Sequence, residues 1–452
     1  MLKRFAQNLH ATSTQAKRSS GASPPLFPHP SSPARPYAAM VLDSGDTAWM
    51  LTSTAFVLFM TLPGLAMFYG GLVRSTSVLS VFMQCFTISC VASLIWLSCG
   101  YSLAFGDGGQ LNYLIGNFEK AFAVGIAPET ESGTIPETVF IMFQMTFAII
   151  TPALIAGAYP ERIKFSACTI FSALWLLVVY VPVCHWVWGG GFLAKMGVMD
   201  FAGGIVVHCT AGWSALVFAA VLGPRLKEHI RPPHQPVMTL AGAAMLWVGW
   251  FGFNAGSALT AGSSAGMAML VTHTAAAAAS LAWVTAEWMQ TGQPTSVGIV
   301  TGTIAGLAAV TPASGFIGPM GGLLLGTLSG FLCEIMTKVV KETWKIDDSI
   351  DVFAVHGVGG MLGSIMVSFL AHPAVQGLGL YEDTMLYHLK VQTIAVIAVS
   401  AWSVFATYVL LKLLEKSIGI RVPKHEEAAG LDMSSLGERA YSQLEAKDGM
   451  SA

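Results

Sequence analysis

Two histidines stand apart in a chain that offers few groups able to exchange a proton. His208 lies in Val207-His-Cys-Thr-Ala-Gly212 and His356 in Val355-His-Gly-Val-Gly-Gly360, so each follows a valine and precedes a glycine four residues on. Each also follows an aspartate, Asp200 eight residues before His208 and Asp351 five residues before His356. Imidazole is the side chain whose ordinary pKa lets it gain and lose a proton near neutrality. A neutral ring carries one donor and one acceptor nitrogen and can pass a proton on. Aromatic residues supply a second element. Trp188 precedes Gly189-Gly-Gly191, Phe143-Gln144-Met-Thr-Phe147 forms one apolar string, and Trp250-Phe-Gly-Phe253-Asn-Ala-Gly-Ser257 forms another. Ring faces attract a small cation, and Ser257 Oγ can accept a hydrogen bond from it. Rings and a hydroxyl above an apolar path to two imidazoles therefore suit a small protonated cation. Plainer readings apply to single residues. Trp250 alone reads as a membrane-belt aromatic. His185 and His273 read as core imidazoles bonded to a carbonyl or hydroxyl.

The elements that hold these residues follow from composition. The chain has 452 residues, 54% hydrophobic and 11% charged, where soluble domains carry roughly 25% charged residues. So few charges cannot cover a soluble globule, which excludes a soluble enzyme. A net charge of −2 without a basic stripe excludes a nucleic-acid binder. All seven cysteines lie in apolar runs without a CxxC, and read as small buried hydrophobes. A bilayer core of about 30 Å takes about 20 apolar residues per helix. Eleven such runs are predicted, at 47–70, 77–104, 136–158, 165–187, 200–222, 236–258, 264–288, 295–313, 317–338, 352–371 and 391–412. His208 and His356 then fall in the fifth and tenth spans, the last of each half of a 5+5 arrangement plus one. Two five-span halves in series are inverted relative to each other, and such repeats place a central site at their interface. The small residues around both histidines allow close helix approach. His208 lies about 12 Å along its helix from Asp200, and His356 about 7 Å from Asp351. The two rings meet only if Asp351 itself lies in a vestibule.

Charge sets the orientation. One set of loops holds Arg74; Arg162 and Lys164; Arg225, Lys227 and Arg231; and Lys338, Lys341 and Lys345. Six further Lys and Arg lie at or beyond the end of the last span, while the alternate loops hold Lys120, Lys195 and Lys390. The positive-inside bias makes the tail cytoplasmic and places Asp43 and Asp46 outside. The expected organisation is a basic Ser/Pro-rich extension over 1–42, the helical domain over 43–416 and a cytoplasmic tail over 417–452. The extension has five Lys/Arg and no acid. That composition fits an organelle transit peptide, a disordered arm or sequence ahead of a start at Met40, and lacks the apolar core of a secretory signal. The plasma membrane is the default location, with an organelle membrane as the alternative.

Asp200-Phe-Ala-Gly-Gly-Ile-Val-Val-His208, the Trp250 to Ser257 string, Asp351-Val-Phe-Ala-Val-His-Gly-Val-Gly-Gly360, Ala158-Tyr-Pro-Glu-Arg-Ile163 and Gly430-Leu-Asp432 resemble the ammonium transporter (Amt/Mep/Rh) family. The resemblance spans roughly 43–441 and is closer to the Amt branch. It implies an all-α integral membrane fold of eleven transmembrane helices, N-terminus out and C-terminus in, forming a homotrimer with a pore in each protomer. It implies Trp188, Phe147 and Ser257 as an outer recruitment site for ammonium or methylammonium. Asp200 would be a buried carboxylate that orients backbone and aids deprotonation. Phe147 and Phe253 would be the gate, His208 and His356 the pore lining, and Gln144 a neighbour of the pore. No cofactor and no metal are implied. The partners are membrane lipid and a regulator or kinase at the tail, where Ser434 stands at the place of a regulatory threonine in plant relatives. Three features depart from the pattern: the tail string Gly430-Leu-Asp-Met-Ser-Ser-Leu-Gly-Glu438 lacks the His-Gly of many relatives, His273 replaces a common amide, and the basic extension has no counterpart.

Energetics supports the same reading. A full charge at mid-bilayer costs at least about 2.5–3.5 kcal/mol, and potassium pores meet that cost with rings of carbonyls. Taking a proton from ammonium roughly two units below its pKa costs about 3 kcal/mol. That route is comparable in cost and closed to K⁺ and Na⁺. Two other classes are weighed. An intramembrane metalloenzyme would need a motif such as HExxH, which is absent. An ammonium sensor with little or no flux would keep the same site and is separated from a transporter by a flux measurement.

Overall fold

The computed structural model describes residues 42–379 and 384–441, and these belong to one compact unit beginning at Leu42. The basic extension expected over 1–42 lies outside the described residues except for its last position, as does the tail beyond 441. Among the described residues, ten helices are long and apolar enough to cross a bilayer: α1 Ser44–Leu72, α2 Val78–Phe105, α3 Glu137–Ala158, α4 Phe165–Lys195, α5 Gly204–Leu222, α6 Pro236–Ala255, α7 Ser263–Thr291, α9 Pro319–Thr343, α10 Phe353–Leu370 and α11 Met385–Ser417. The remaining expected span, 295–313, is α8, Ser296–Val310. Its 15 residues rise about 22 Å, less than a bilayer core. Thr311-Pro312 ends it early, and nearly all of its second half is buried among the other helices. The expected eleven long spans are thus ten and a short buried helix.

Other boundaries shift for local reasons. The fifth span was expected from 200 but α5 starts at Gly204, because the Asp200 side chain caps it. The alanine run of α7 lets α8 and α9 lie against its backbone. A Cβ on Gly326 of α9 would come 2.3 Å from the Ala275 carbonyl oxygen, so the helices touch through small residues. Between α2 and α3 a short antiparallel hairpin pairs β1, Glu131–Ser132, with β2, Ile135–Pro136. Five of the seven cysteines are buried, but Cys90 of α2 is exposed and Cys99 is half-buried.

The tail after α11 folds back on the loops at one end of the bundle. Val422 N–H donates to the Arg162 carbonyl and Lys164 N–H to that of Ile420. A short helix α12, Lys424–Ala429, carries the wholly buried Glu427, which pairs with Arg421 at 2.9 Å and accepts from Leu226 N–H at 3.0 Å. Asp432 accepts from the N–H groups of Leu79 and Ser80, at 3.1 and 2.8 Å, capping α2 from a distant part of the chain. Ser434 is exposed, with its hydroxyl donating to the Gly430 carbonyl at 2.8 Å.

Candidate functional site

His208 and His356 meet. Their Nδ1 atoms lie 3.2 Å apart, with ring planes 21° from parallel and centroids 5.2 Å apart. Both are almost fully buried. The small residues near them make the meeting possible: a Cβ on Gly212 of α5 would fall 2.2 Å from the Gly357 Cα of α10. A ring–ring contact through two Nδ1 atoms requires one ring to donate and the other to accept. His208 Nε2 has no hydrogen-bond partner, so the pair keeps one nitrogen open on its far side.

Above the pair lie stacked rings. Phe147 of α3 and Phe253 of α6 face each other with centroids 4.1 Å apart and planes 22° from parallel. Trp188 meets Phe147 edge-on at 5.9 Å. It is half-buried, and its Nε1–H donates to the Asp200 carbonyl at 2.8 Å. Ser257, one turn past Phe253, is half-buried, and its hydroxyl donates to the Phe253 carbonyl at 2.8 Å, which leaves its oxygen lone pairs free to accept. The Asp200 carboxylate accepts from four successive N–H groups, Gly203, Gly204, Ile205 and Val206, at 2.6–3.1 Å. It therefore satisfies the first donors of α5 and fixes the helix that carries His208.

Below the rings runs a narrow cavity of about 10 Å³, roughly what one water-sized molecule needs. Its lining is apolar apart from His208, His356 and Trp250, and the Trp250 indole N–H is taken up by Thr311 Oγ1 at 2.9 Å. His356 and Phe68 also line a wider cavity of about 230 Å³, open towards the tail-side loops and walled by Arg225, Lys341 and Asp351. Asp351 thus sits in a vestibule, the condition under which the two histidines can meet.

The chain belongs to the ammonium transporter family. The family model described as "Ammonium Transporter Family" matches residues 48–441. A curated protein named "Putative ammonium transporter" from Methanothermobacter thermautotrophicus is 46% identical over 410 residues, covering 89% of this chain and 99% of that one. Among solved structures, one titled "Sensor Amt Protein" aligns with a TM-score of 0.80 at 29% identity, over 86% of this chain and 98% of that one. Saccharomyces cerevisiae Mep2 aligns with a TM-score of 0.76 at 30% identity, over 85% and 92%.

Trp250 and His273 of this ammonium transporter family member stand elsewhere than their sequence reading places them, whereas His185 is the core imidazole expected. Trp250 is not a belt residue: it is 1% exposed and stacks on His208 at 5.5 Å and 21°. Trp250 and Phe253, three residues apart and both 1% exposed, share the inward face of α6. Gln144 is buried one turn before Phe147 with Oε1 unpaired, but it does not line the cavity between the rings and the histidines. His273 is exposed and stacks on Trp247 at 5.2 Å, away from the cavity. His185 is wholly buried, with its ring nitrogens 2.9 and 2.8 Å from the carbonyl oxygens of Ala104 and Asn112.

The carboxylate matching Asp200 is Asp348 rather than Asp351. Asp348 stands eight residues before His356, as Asp200 does before His208. It is fully buried and accepts from Phe353 N–H at 2.7 Å, capping α10. Burial, with the negative charge of Asp351, pushes its carboxyl up to about 7. The equal eight-residue spacing is the signal in the sequence that could have found it. Arg162, wholly buried, is a second such residue. Its guanidinium donates to carbonyls of Ala158, Pro160, Gly223 and Asp347 and to Ser349 Oγ, tying three tail-side loops together. Among the described residues, no three His, Cys, Asp or Glu side chains converge as a metal site would need.

Proposed function

We propose that the protein moves ammonium across a membrane, recruiting the ion at Trp188, Phe147 and Ser257, with Asp200 holding the backbone beside them, and conducting ammonia past the Phe147–Phe253 rings along His208 and His356. The observation that carries this reading is the buried histidine pair in direct contact, at the end of a cavity that is otherwise apolar. Such a path offers nothing to replace the hydration shell of K⁺. An ammonium ion can shed its charge as a proton at a cost of about 3 kcal/mol. Family membership and names of relatives at 40–46% identity support ammonium as the substrate. Gln144, one turn from Phe147, is assigned to the wall outside the rings.

In the proposed arrangement α8 completes eleven crossings, built as two inverted five-helix halves plus α11. The matched caps, Asp200 on α5 and Asp348 on α10, each eight residues before a histidine, support that symmetry. The end bearing the basic loops and tail faces the cytoplasm, and three protomers associate with one pore each. The plasma membrane is the proposed location, with an organelle membrane the alternative for a chain carrying the basic extension.

A sensor with little flux is the second reading, favoured by similarity to the structure titled "Sensor Amt Protein". Uptake of radiolabelled methylammonium by liposomes holding the purified protein tests both. Saturable uptake blocked by ammonium but not by K⁺ is expected. No uptake by folded protein leaves the sensor.

A further inference from the structure

The tail-side cavity contains a carboxylate that helix capping does not use. Asp351 lines this cavity together with His356. Its backbone sits at φ 61°, a left-handed conformation that is unfavourable for a non-glycine residue and persists where its surroundings hold it. The cap of α10 is supplied by the Asp348 side chain, while Asp351 contributes only its backbone carbonyl, to Val355 N–H at 2.9 Å. Its own carboxylate is turned to other partners. Oδ2 lies 2.7 Å from Lys341 Nζ, and Oδ1 is buried without a hydrogen-bond partner. A strained residue with an open carboxylate oxygen, on the wall of the cavity that His356 overlooks, is placed for proton chemistry.

On the transport reading, ammonium leaves a proton at the outer site and continues as ammonia. A proton that enters at His208 Nε2 can be relayed as His208 passes its Nδ1 proton to His356 Nδ1. The His356 ring, now an imidazolium, can lose its proton on the inner side, which carries the charge across, or hand it back through His208 to the outer side, in which case ammonia crosses alone. We propose that Asp351 is the inner proton acceptor, so that one positive charge crosses with each ammonia. His356 returns to neutral imidazole as the carboxylate becomes a carboxylic acid. The acid then gives its proton to water at the cavity mouth and returns to carboxylate. Proton transfer from ring to carboxylate goes across the cavity, directly or through water that fills it. The Lys341 ammonium repels the arriving proton and hastens its departure. The other charged or titratable groups facing this carboxylate are Arg225 and Arg231 of the α5–α6 connection, Tyr69 of α1, and Asp348 and His356 of its own segment. Arg225 is engaged by Asp347 at 2.9 Å, which leaves Lys341 as the close counter-charge.

This proposal rests on the transport reading, and the experiment separates the two. Full-length protein in liposomes is assayed for methylammonium-evoked current and, in parallel, for radiolabelled methylammonium uptake. Wild type gives both. Asp351→Asn keeps a polar side chain of the same size but cannot take up the proton. Its current falls about tenfold or more while uptake stays within about twofold, the loss of a single proton-transfer group. Asp351→Glu restores most of the current, and Lys341→Met moves the pH optimum of the current upward. Equal loss of current and uptake in Asp351→Asn marks a structural role and overturns the proposal, as does an unchanged current. Should Asp351→Asn not fold, an unshifted pH profile in Lys341→Met overturns it instead. Uptake without current in wild type overturns the proposal and leaves the transport reading standing. No uptake in wild type overturns the transport reading, and the proposal with it.

Discussion

The Nδ1 contact between His208 and His356 leaves two ways to place the ring protons, and both keep the pair able to pass one along. If His208 donates, its Nε2 is bare towards the rings; if His356 donates, its own Nε2 is bare towards the vestibule. Removing both rings should cost more than removing either, because the relay needs a continuous chain. In His208→Ala/His356→Ala, methylammonium uptake is expected to fall on the order of a hundredfold, the scale of general acid–base assistance, or to persist with loss of K⁺ rejection. Unchanged uptake with unchanged rejection of K⁺ would contradict the relay. The outer site is a matter of separate contacts. Trp188→Leu and Ser257→Ala each remove about 0.5–2 kcal/mol of attraction for the cation. The half-saturation concentration should rise roughly twofold to thirtyfold, with the maximal rate little changed. An unaltered half-saturation concentration in both variants would place recruitment elsewhere.

At the scale of elements, the caps decide where the histidines stand. Span position, the histidine pair and the aromatic strings were legible in the sequence because apolar runs and rare ionisable residues declare themselves. The cap of α10 was not, because both Asp348 and Asp351 precede His356 and spacing alone does not say which carboxylate turns back to the helix. Nor was the length of α8 legible, since a glycine-rich apolar run reads alike as a crossing helix and a short buried one. The stacking of Trp250 on His208 depends on which helix face turns inward, which hydropathy leaves open when all faces are apolar. The loops offer a test of how the elements are tied. Asp347 joins the α5–α6 and α9–α10 connections through Arg225, at 2.9 Å, and lies beside the buried Arg162. These hydrogen bonds and charges overcome its burial and hold its carboxyl down at about 2. A depressed carboxylate contributes stability that is present above its unfolded value, roughly 3.9, and lost as pH falls through the folded one. The contribution is on the order of 2 kcal/mol at neutral pH. Asp347→Asn should therefore lower the thermal midpoint in detergent at pH 7, and the gap to wild type should close as pH approaches 2. A gap that is constant over that range would mean the charge is not what stabilises the loops.

For the whole molecule, the tail is the element that touches most of the loops beneath the bundle. Asp432 caps α2, Glu427 accepts from the α5–α6 connection, and Arg74 donates to the Glu427 carbonyl at 2.7 Å. Its attachment at α2 rests on two N–H donors to one carboxylate, so Asp432→Ala should cost about 0.5–2 kcal/mol and free the tail to proteolysis, whereas Asp432→Asn should keep most of the cap. Digestion at the same rate in wild type and Asp432→Ala would show that the cap does not hold the tail.

Ser434 lies two residues past that cap, and its hydroxyl donates to the Gly430 carbonyl. A phosphate there adds about −1.5 to −2 charges next to Asp432 and four residues before Glu438. It also replaces a hydroxyl donor with acceptors that face a carbonyl. Both changes repel, and both act on the turn that positions Asp432 beneath α2. The tail should then detach from the α1–α2 connection and loosen the neighbouring loops that wall the vestibule. In a trimer whose tails lie under adjacent pores, one detached tail would affect more than its own pore. We predict that Ser434→Asp lowers methylammonium uptake without lowering the amount of protein in the membrane. Ser434→Ala, which loses the hydroxyl bond but adds no charge, should keep most of the uptake. If transport depends on tails acting together, co-expressed wild-type and Ser434→Asp chains will carry less than the wild-type share alone accounts for. Normal uptake by Ser434→Asp, or a loss matched by lost protein, would remove the case for a switch at this serine.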